Sequence, residues 1–120
     1  MGSWSLGSVS TALINLIPNV PTSISGAQLL DLVDRRRLQM ETWTGATIGS
    51  VGIAETYQPA LVSLSAADLL RFMHLQGGDT SIDNIRIGNA MLESAKMFEE
   101  KGMKELKALG HKILYYKAWG

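Results

Sequence analysis

YQPALVSLSAADLLRFMHLQ, Tyr57 to Gln76, is the most apolar long stretch of the chain, and its reading decides how the rest must be arranged. Pro59 suits the first turn of a helix, where its missing N–H would have no intrahelical partner. Leu61, Leu64 and Asp68 then fall on one face, while Val62, Ala66, Leu69, Leu70 and Met73 cover most of the others. Only Asp68, Arg71 and His74 interrupt the apolar surface, and Gly77-Gly78 stops the element. A helix apolar on most sides must be covered on most sides. Its length approaches a membrane span, but Asp68 and Arg71 near the middle argue against one and for a central soluble helix with no membrane partner.

Two further helices are expected to provide the cover. Ser25 and Gln28 have the spacing of a capping box, with Ile24 and Leu29 placed for a hydrophobic staple. The segment after them should be helical to Thr44 and stop at Gly45 in a left-handed turn. Leu29, Leu32, Val33, Met40 and Trp43 make its buried stripe, with Asp31, Asp34 and Arg35 to Arg37 mainly outside. At about 100° per residue, three consecutive arginines cannot form one tight patch. They read either as a solvated face with an Asp31–Arg35 pair, or as a subunit contact or electropositive channel wall built from Arg35, Arg36 and Arg37. The last helix is expected to open at Gly88 or Asn89 and close before Gly110. Met91, Ala95, Phe98, Gly102, Leu106 and Leu109 form its inward stripe. Gly102 in mid-helix costs up to about 1 kcal/mol against Ala, which close packing on another helix would explain.

The connections are less regular. Residues 1–24 are an arm or short docking helix carrying Val9, Leu13, Leu16 and Ile17, with Ser8 as a cap and Pro18 and Pro21 as terminators. Ala46 to Ala54 is small, Gly-rich and uncharged, a loop or short β-arm. Ser81 to Gly88 places Ile85 and Ile87 two apart, which suits a brief strand or extended loop. The expected fold is therefore all-α: three main helices at about 25–44, 57–76 and 89–109, a core of 25–110, and an extended tail at 111–120.

At 120 residues the chain is one domain large enough for a core without staples. Its formal net charge is zero, with 11 basic and 11 acidic side chains, which argues against strong nonspecific nucleic-acid binding. It has no cysteine, so neither disulfides nor a thiolate metal site is expected. Residues 1–28 carry no charge, whereas the last twenty carry five lysines against Glu105.

No constellation of residues suggests catalysis. His74 and His111 are far apart, with His74 at a helix end; Asp79 and Asp83 flank a turn; Glu99-Glu100 reads as an exposed helix face. No metalloprotease, nucleophile-elbow, EF-hand or phosphate-loop spacing occurs. No enzyme activity, cofactor or metal is expected. The tail is different: Ile113, Leu114, Tyr115, Tyr116, Lys117 and Trp119 put three aromatics in the last six residues. Such side chains are enriched at interfaces, so this tail either folds back on the helices or docks on another chain.

In the order METWTG (Met40 to Gly45), ETYQPALVSLSAADLLRFM, a Gly-rich turn and ELKALGHKILYYKAWG, the chain resembles the small head-to-tail connector (adaptor) proteins of tailed double-stranded DNA phages. The resemblance covers about residues 25–120 and implies an oligomeric, dodecameric ring beneath the portal in the virion neck. The subunits would assemble in the host cytoplasm, and the channel would let DNA pass without binding it specifically. It further implies that His111 to Gly120 is the tail that docks on the portal protein and that Ala46–Ala54 faces a neighbour or the next neck or tail component. The alternative is a small helical DNA-binding or regulatory protein with Arg35 to Arg37 on its contact helix; a helical accessory subunit of an enzyme is a third reading.

Overall fold

A computed structural model describes residues 5–17, 20, 24–45, 47–49, 52–53, 55–76 and 82–109, with the side chains of 75–76 and 82–89 left aside. The described chain is all-α, with four helices: α1 (Leu6–Leu16), α2 (Gly26–Thr44), α3 (Gln58–Gln76) and α4 (Ile82–Ala108). The expected tail at 111–120, with all of its docking residues, lies outside the described residues, as do Asp79 and the side chain of Asp83.

α3 is the central element and packs against each of the other three helices. Ala60, Leu61, Leu64, Ala66, Ala67, Leu69, Leu70 and Met73 are all buried, and Val62 and Phe72 partly so. α2 and α4, the two helices expected to cover this rod, leave a further side to fill. The chain supplies the missing side itself through α1, whose Val9 and Leu13 join the core together with Ile17 beyond its end.

The ends of α1 and α2 follow from local chemistry. The N-cap of α1 is Ser5, not Ser8. Ser8 is instead the third helical residue and closes a capping box made of two serines, each hydroxyl accepting the other's backbone N–H at 3.3 Å. Ile17 turns extended (φ −99°, ψ 116°) immediately before Pro18, as the proline ring demands of its predecessor. On α2 the Ser25–Gln28 box forms as expected: Gln28 N–H donates to Ser25 Oγ at 3.1 Å and Ser25 N–H to Gln28 Oε1 at 2.9 Å. Ile24 and Leu29 are both buried in the core. Gly45 ends the helix at φ 72°, a left-handed conformation that only glycine adopts without strain.

Two expectations about the last helix change. It starts at Ile82, so Ser81 to Gly88 is not a strand or extended loop but largely the opening of a 27-residue helix. Ile82 and Ile85 are three apart, which fits a helical period as well as Ile85 and Ile87 fit a strand, and one internal glycine at 88 is a tolerable penalty. Its inward stripe also includes Met103, which is buried, while Leu109 is exposed.

Gly102 explains itself. A Cβ built there would lie 2.6 Å from Leu64 Cγ and 3.2 Å from the carbonyl oxygen of Ala60, so α3 and α4 meet backbone to side chain at this point. Ser63 Oγ donates to Glu105 Oε1 at 3.1 Å across the same interface.

Candidate functional site: an ion cluster beneath an α2–α3 groove

The buried stripe of α2 is Leu29, Val33, Arg36, Met40 and Trp43, spaced four, three, four and three residues apart. Arg36 thus occupies a core position, and only 5 % of it reaches solvent. It does not lie outside with its neighbours, as the run of three arginines had suggested. Its Nε donates to Asp68 Oδ2 at 2.7 Å and its Nη2 to Asp68 Oδ1, the bidentate fork that guanidinium and carboxylate share. Nη2 also donates to Glu99 Oε1 on α4 at 3.0 Å. Arg71 Nη1 reaches the same Glu99 oxygen at 2.8 Å and stands 3.6 Å from Asp68 Oδ1. Trp43 flanks the cluster, with the Arg36 guanidinium carbon 5.8 Å from its ring centroid.

Two cations and two carboxylates from three helices therefore close on one another. Glu99, expected on an exposed face, is half-buried within this cluster. Burial alone would raise its pKa, but the hydrogen bond from Arg71 and the charge of Arg36 outweigh it and hold the carboxyl below its ordinary range. Burial likewise works against the charge on Arg36, and the bonds and charges of Asp68 and Glu99 more than restore it, raising its pKa. These shifts lock both groups in their charged forms. The cluster is chemically suited to fastening helices, and neither shift moves its group toward a proton transfer near neutral pH.

The other two arginines have separate attachments. Arg35 is the exposed member of the three and pairs with Asp31 at 3.0 Å, as expected. Arg37 is largely covered and bonds Asp34 Oδ1 at 2.9 Å through Nε, with Glu41 3.3 Å from its Nη1. Glu41 in turn accepts the backbone N–H groups of Ile48 (2.7 Å) and Gly49 (3.0 Å), which pull its pKa down and fasten the loop after α2. Ile48 and Ile53 of that loop are buried, and Gln58 Nε2 donates to the Ile53 carbonyl at 3.0 Å.

Above the cluster, α2 and α3 leave a groove of about 470 Å³ lined by Ile24, Leu32, Arg35, Asp68, Arg71 and Phe72, among others. It is a concave feature in which charged groups converge, with Arg35 and Arg71 answered by Asp31 and Asp68. Among the described residues no group of three metal-ligating side chains occurs, and no helix is long and apolar enough to cross a membrane. No protein-family model, no curated protein and no solved structure matches the chain.

The cluster escaped the sequence reading, although two signals for it were present. Asp68 interrupts an apolar helix, and Arg36 interrupts an apolar stripe three residues after Val33 and four before Met40. An acid and a base each displaced into a core face call for each other.

Proposed function

We propose that the chain is a structural subunit of the virion neck of a tailed double-stranded DNA phage. In this reading it forms an oligomeric ring beneath the portal, prolongs the DNA channel and joins head to tail without enzymatic activity. The observation that carries the reading is the order of elements: a capped helix stopped by Trp43-Thr44-Gly45, a small-residue loop, a Pro59-opened central helix, and a charged helix leading into an aromatic tail. This order is what the resemblance to head-to-tail connector proteins rests on. A mechanical part is further supported by the use of Arg36, Arg71, Asp68 and Glu99 to fasten three helices to one another.

The DNA-binding reading is the weaker one on the geometry of the arginines. Arg36 is enclosed and Arg37 largely so, which leaves Arg35 alone to offer a guanidinium to phosphate from that run. Native mass spectrometry of the purified chain with and without a portal protein tests the proposal. Rings, or recruitment by the portal, are expected; a persistent monomer that ignores portal and shifts a duplex DNA probe overturns it. Deleting residues 113–120 should leave the helices folded and abolish assembly. Loss of helical circular dichroism in that truncation would make the tail part of the monomer core.

A further inference from the structure

Every arginine whose side chain is described is engaged by a carboxylate of the same chain: Arg35 by Asp31, Arg36 by Asp68 and Glu99, Arg37 by Asp34 and Glu41, Arg71 by Glu99. Two lysines of α4 are used differently. Lys101 and Lys104 are exposed, and among the described residues neither has a carboxylate within ion-pair distance. Beside them Met97 is 70 % exposed, the highest value among the large apolar side chains described.

Met97, Lys101 and Lys104 follow the i, i+4, i+7 spacing of one helical stripe. With Glu100, Met103 and Lys107 they line a shallow groove of about 520 Å³. The apolar strip continues from Met97 to the half-buried Phe98, which lines an adjoining depression with Ser94 and Lys101. The helix dipole accounts for a cation in the last turn, where Lys107 stands. It does not account for Lys101, two turns before the end, nor for a methionine held in water.

We propose that this face of α4 is a docking surface for an acidic protein segment, a helix presenting carboxylates around an apolar side chain. An adaptable, exposed thioether beside two cations pairs an apolar anchor with part of a polar rim, as protein interfaces do. Duplex DNA fits less well: Lys101 and Lys104 against Glu100 leave only a small positive excess over the groove, and Met97 adds nothing to phosphate contact. A second copy of the chain has less to offer, because Asp31, Asp34, Glu41, Asp68 and Glu99 are bonded to arginines and Glu105 to Ser63, which leaves Glu55, Glu93 and Glu100 among the described carboxylates. The proposal stands apart from the neck assignment and does not need it.

Fluorescence anisotropy with a labelled amphipathic peptide, glutamates flanking a leucine stripe, tests it on the full chain. The expected results are salt-sensitive binding, weakening of about tenfold or more in Lys101→Glu/Lys104→Glu and in Met97→Ser, and no loss in Lys96→Glu, which lies outside the groove. A peptide with glutamine for glutamate should fail to bind. Circular dichroism of each variant checks that these surface changes leave the helices intact. Absence of peptide binding overturns the proposal, as does binding indifferent to Met97, which would be charge attraction alone. Tighter capture of duplex DNA by the same lysines would assign the face to nucleic acid, and self-association abolished by Met97→Ser would assign it to a second copy; either outcome also overturns it.

Discussion

The guanidinium of Arg36 and the carboxylate of Asp68 meet fork to fork across the α2–α3 interface, 32 residues apart in sequence. Two charged groups taken out of water gain little net stability from each other, because desolvation offsets most of the attraction. What they impose is register: α2 and α3 can slide or rotate only by breaking two directed bonds, and Glu99 extends that constraint to α4.

Removing one member should therefore be far worse than removing both. Arg36→Ala leaves Asp68 and Glu99 half-buried without their shared partner, and a loss of about 3–5 kcal/mol is expected. Arg36→Met combined with Asp68→Leu should recover most of it, since Glu99 keeps Arg71. Urea unfolding of Arg36→Met, Asp68→Leu and the double closes the cycle; additive losses would show that the pair is not coupled.

Gly102 provides a test of opposite intuition. Alanine in place of a mid-helix glycine ordinarily stabilises by up to about 1 kcal/mol. Here the added methyl would sit 2.6 Å from Leu64 Cγ and 3.2 Å from the Ala60 carbonyl oxygen, the latter being backbone that cannot step aside. Gly102→Ala is expected to destabilise by about 1–3 kcal/mol. Trimming the neighbour in a Leu64→Ala background should make the same change milder, a non-additivity readable from thermal melts of the four proteins.

The stripe of Leu29, Val33, Met40 and Trp43, the Ser25–Gln28 box, the Gly45 stop and the centrality of α3 were all legible, because each is written in local spacing or in a single residue's conformational preference. The close approach at Gly102 was legible as an anomaly in propensity. Harder to read was anything that depended on which helix faces which. Three adjacent arginines look like one surface feature, yet 100° steps send Arg35 to solvent, Arg36 to Asp68 and Arg37 toward Glu41. The start of α4 was misplaced because isoleucines at 82, 85 and 87 satisfy both periods, and the contacts that choose between them are tertiary. Candidate docking residues of α4 were missed since an exposed Met97 is invisible until burial of the opposite face is known.

Ser65 is fully buried in α3, and its hydroxyl has no hydrogen-bond partner. A buried polar group in that position opposes folding, and serine is also a poorer helix former than alanine. Ser65→Ala should raise stability by about 1 kcal/mol, seen as a higher denaturant midpoint at unchanged slope. A lower midpoint would mean that the hydroxyl is bonded in solution.

The acid limb of the stability curve should report on Glu99. Its folded pKa lies below the ordinary 4.5 because Arg71 and Arg36 favour the charged form over the opposing effect of burial. A carboxyl depressed in the folded state binds protons more weakly there than when unfolded, so its contribution is present above pH 4.5 and fades as the pH falls through the folded value. Glu41 contributes in the same direction through the N–H groups of Gly49 and Ile48. Glu99→Gln is expected to be less stable than the parent near neutral pH and to lose less stability on acidification, so the two curves converge below pH 4.5. Unfolding free energies measured by urea titration between neutrality and pH 3 would show this. Parallel curves would mean that Glu99 has the same proton affinity folded and unfolded, and that the Arg36–Glu99–Arg71 contacts do not hold in solution.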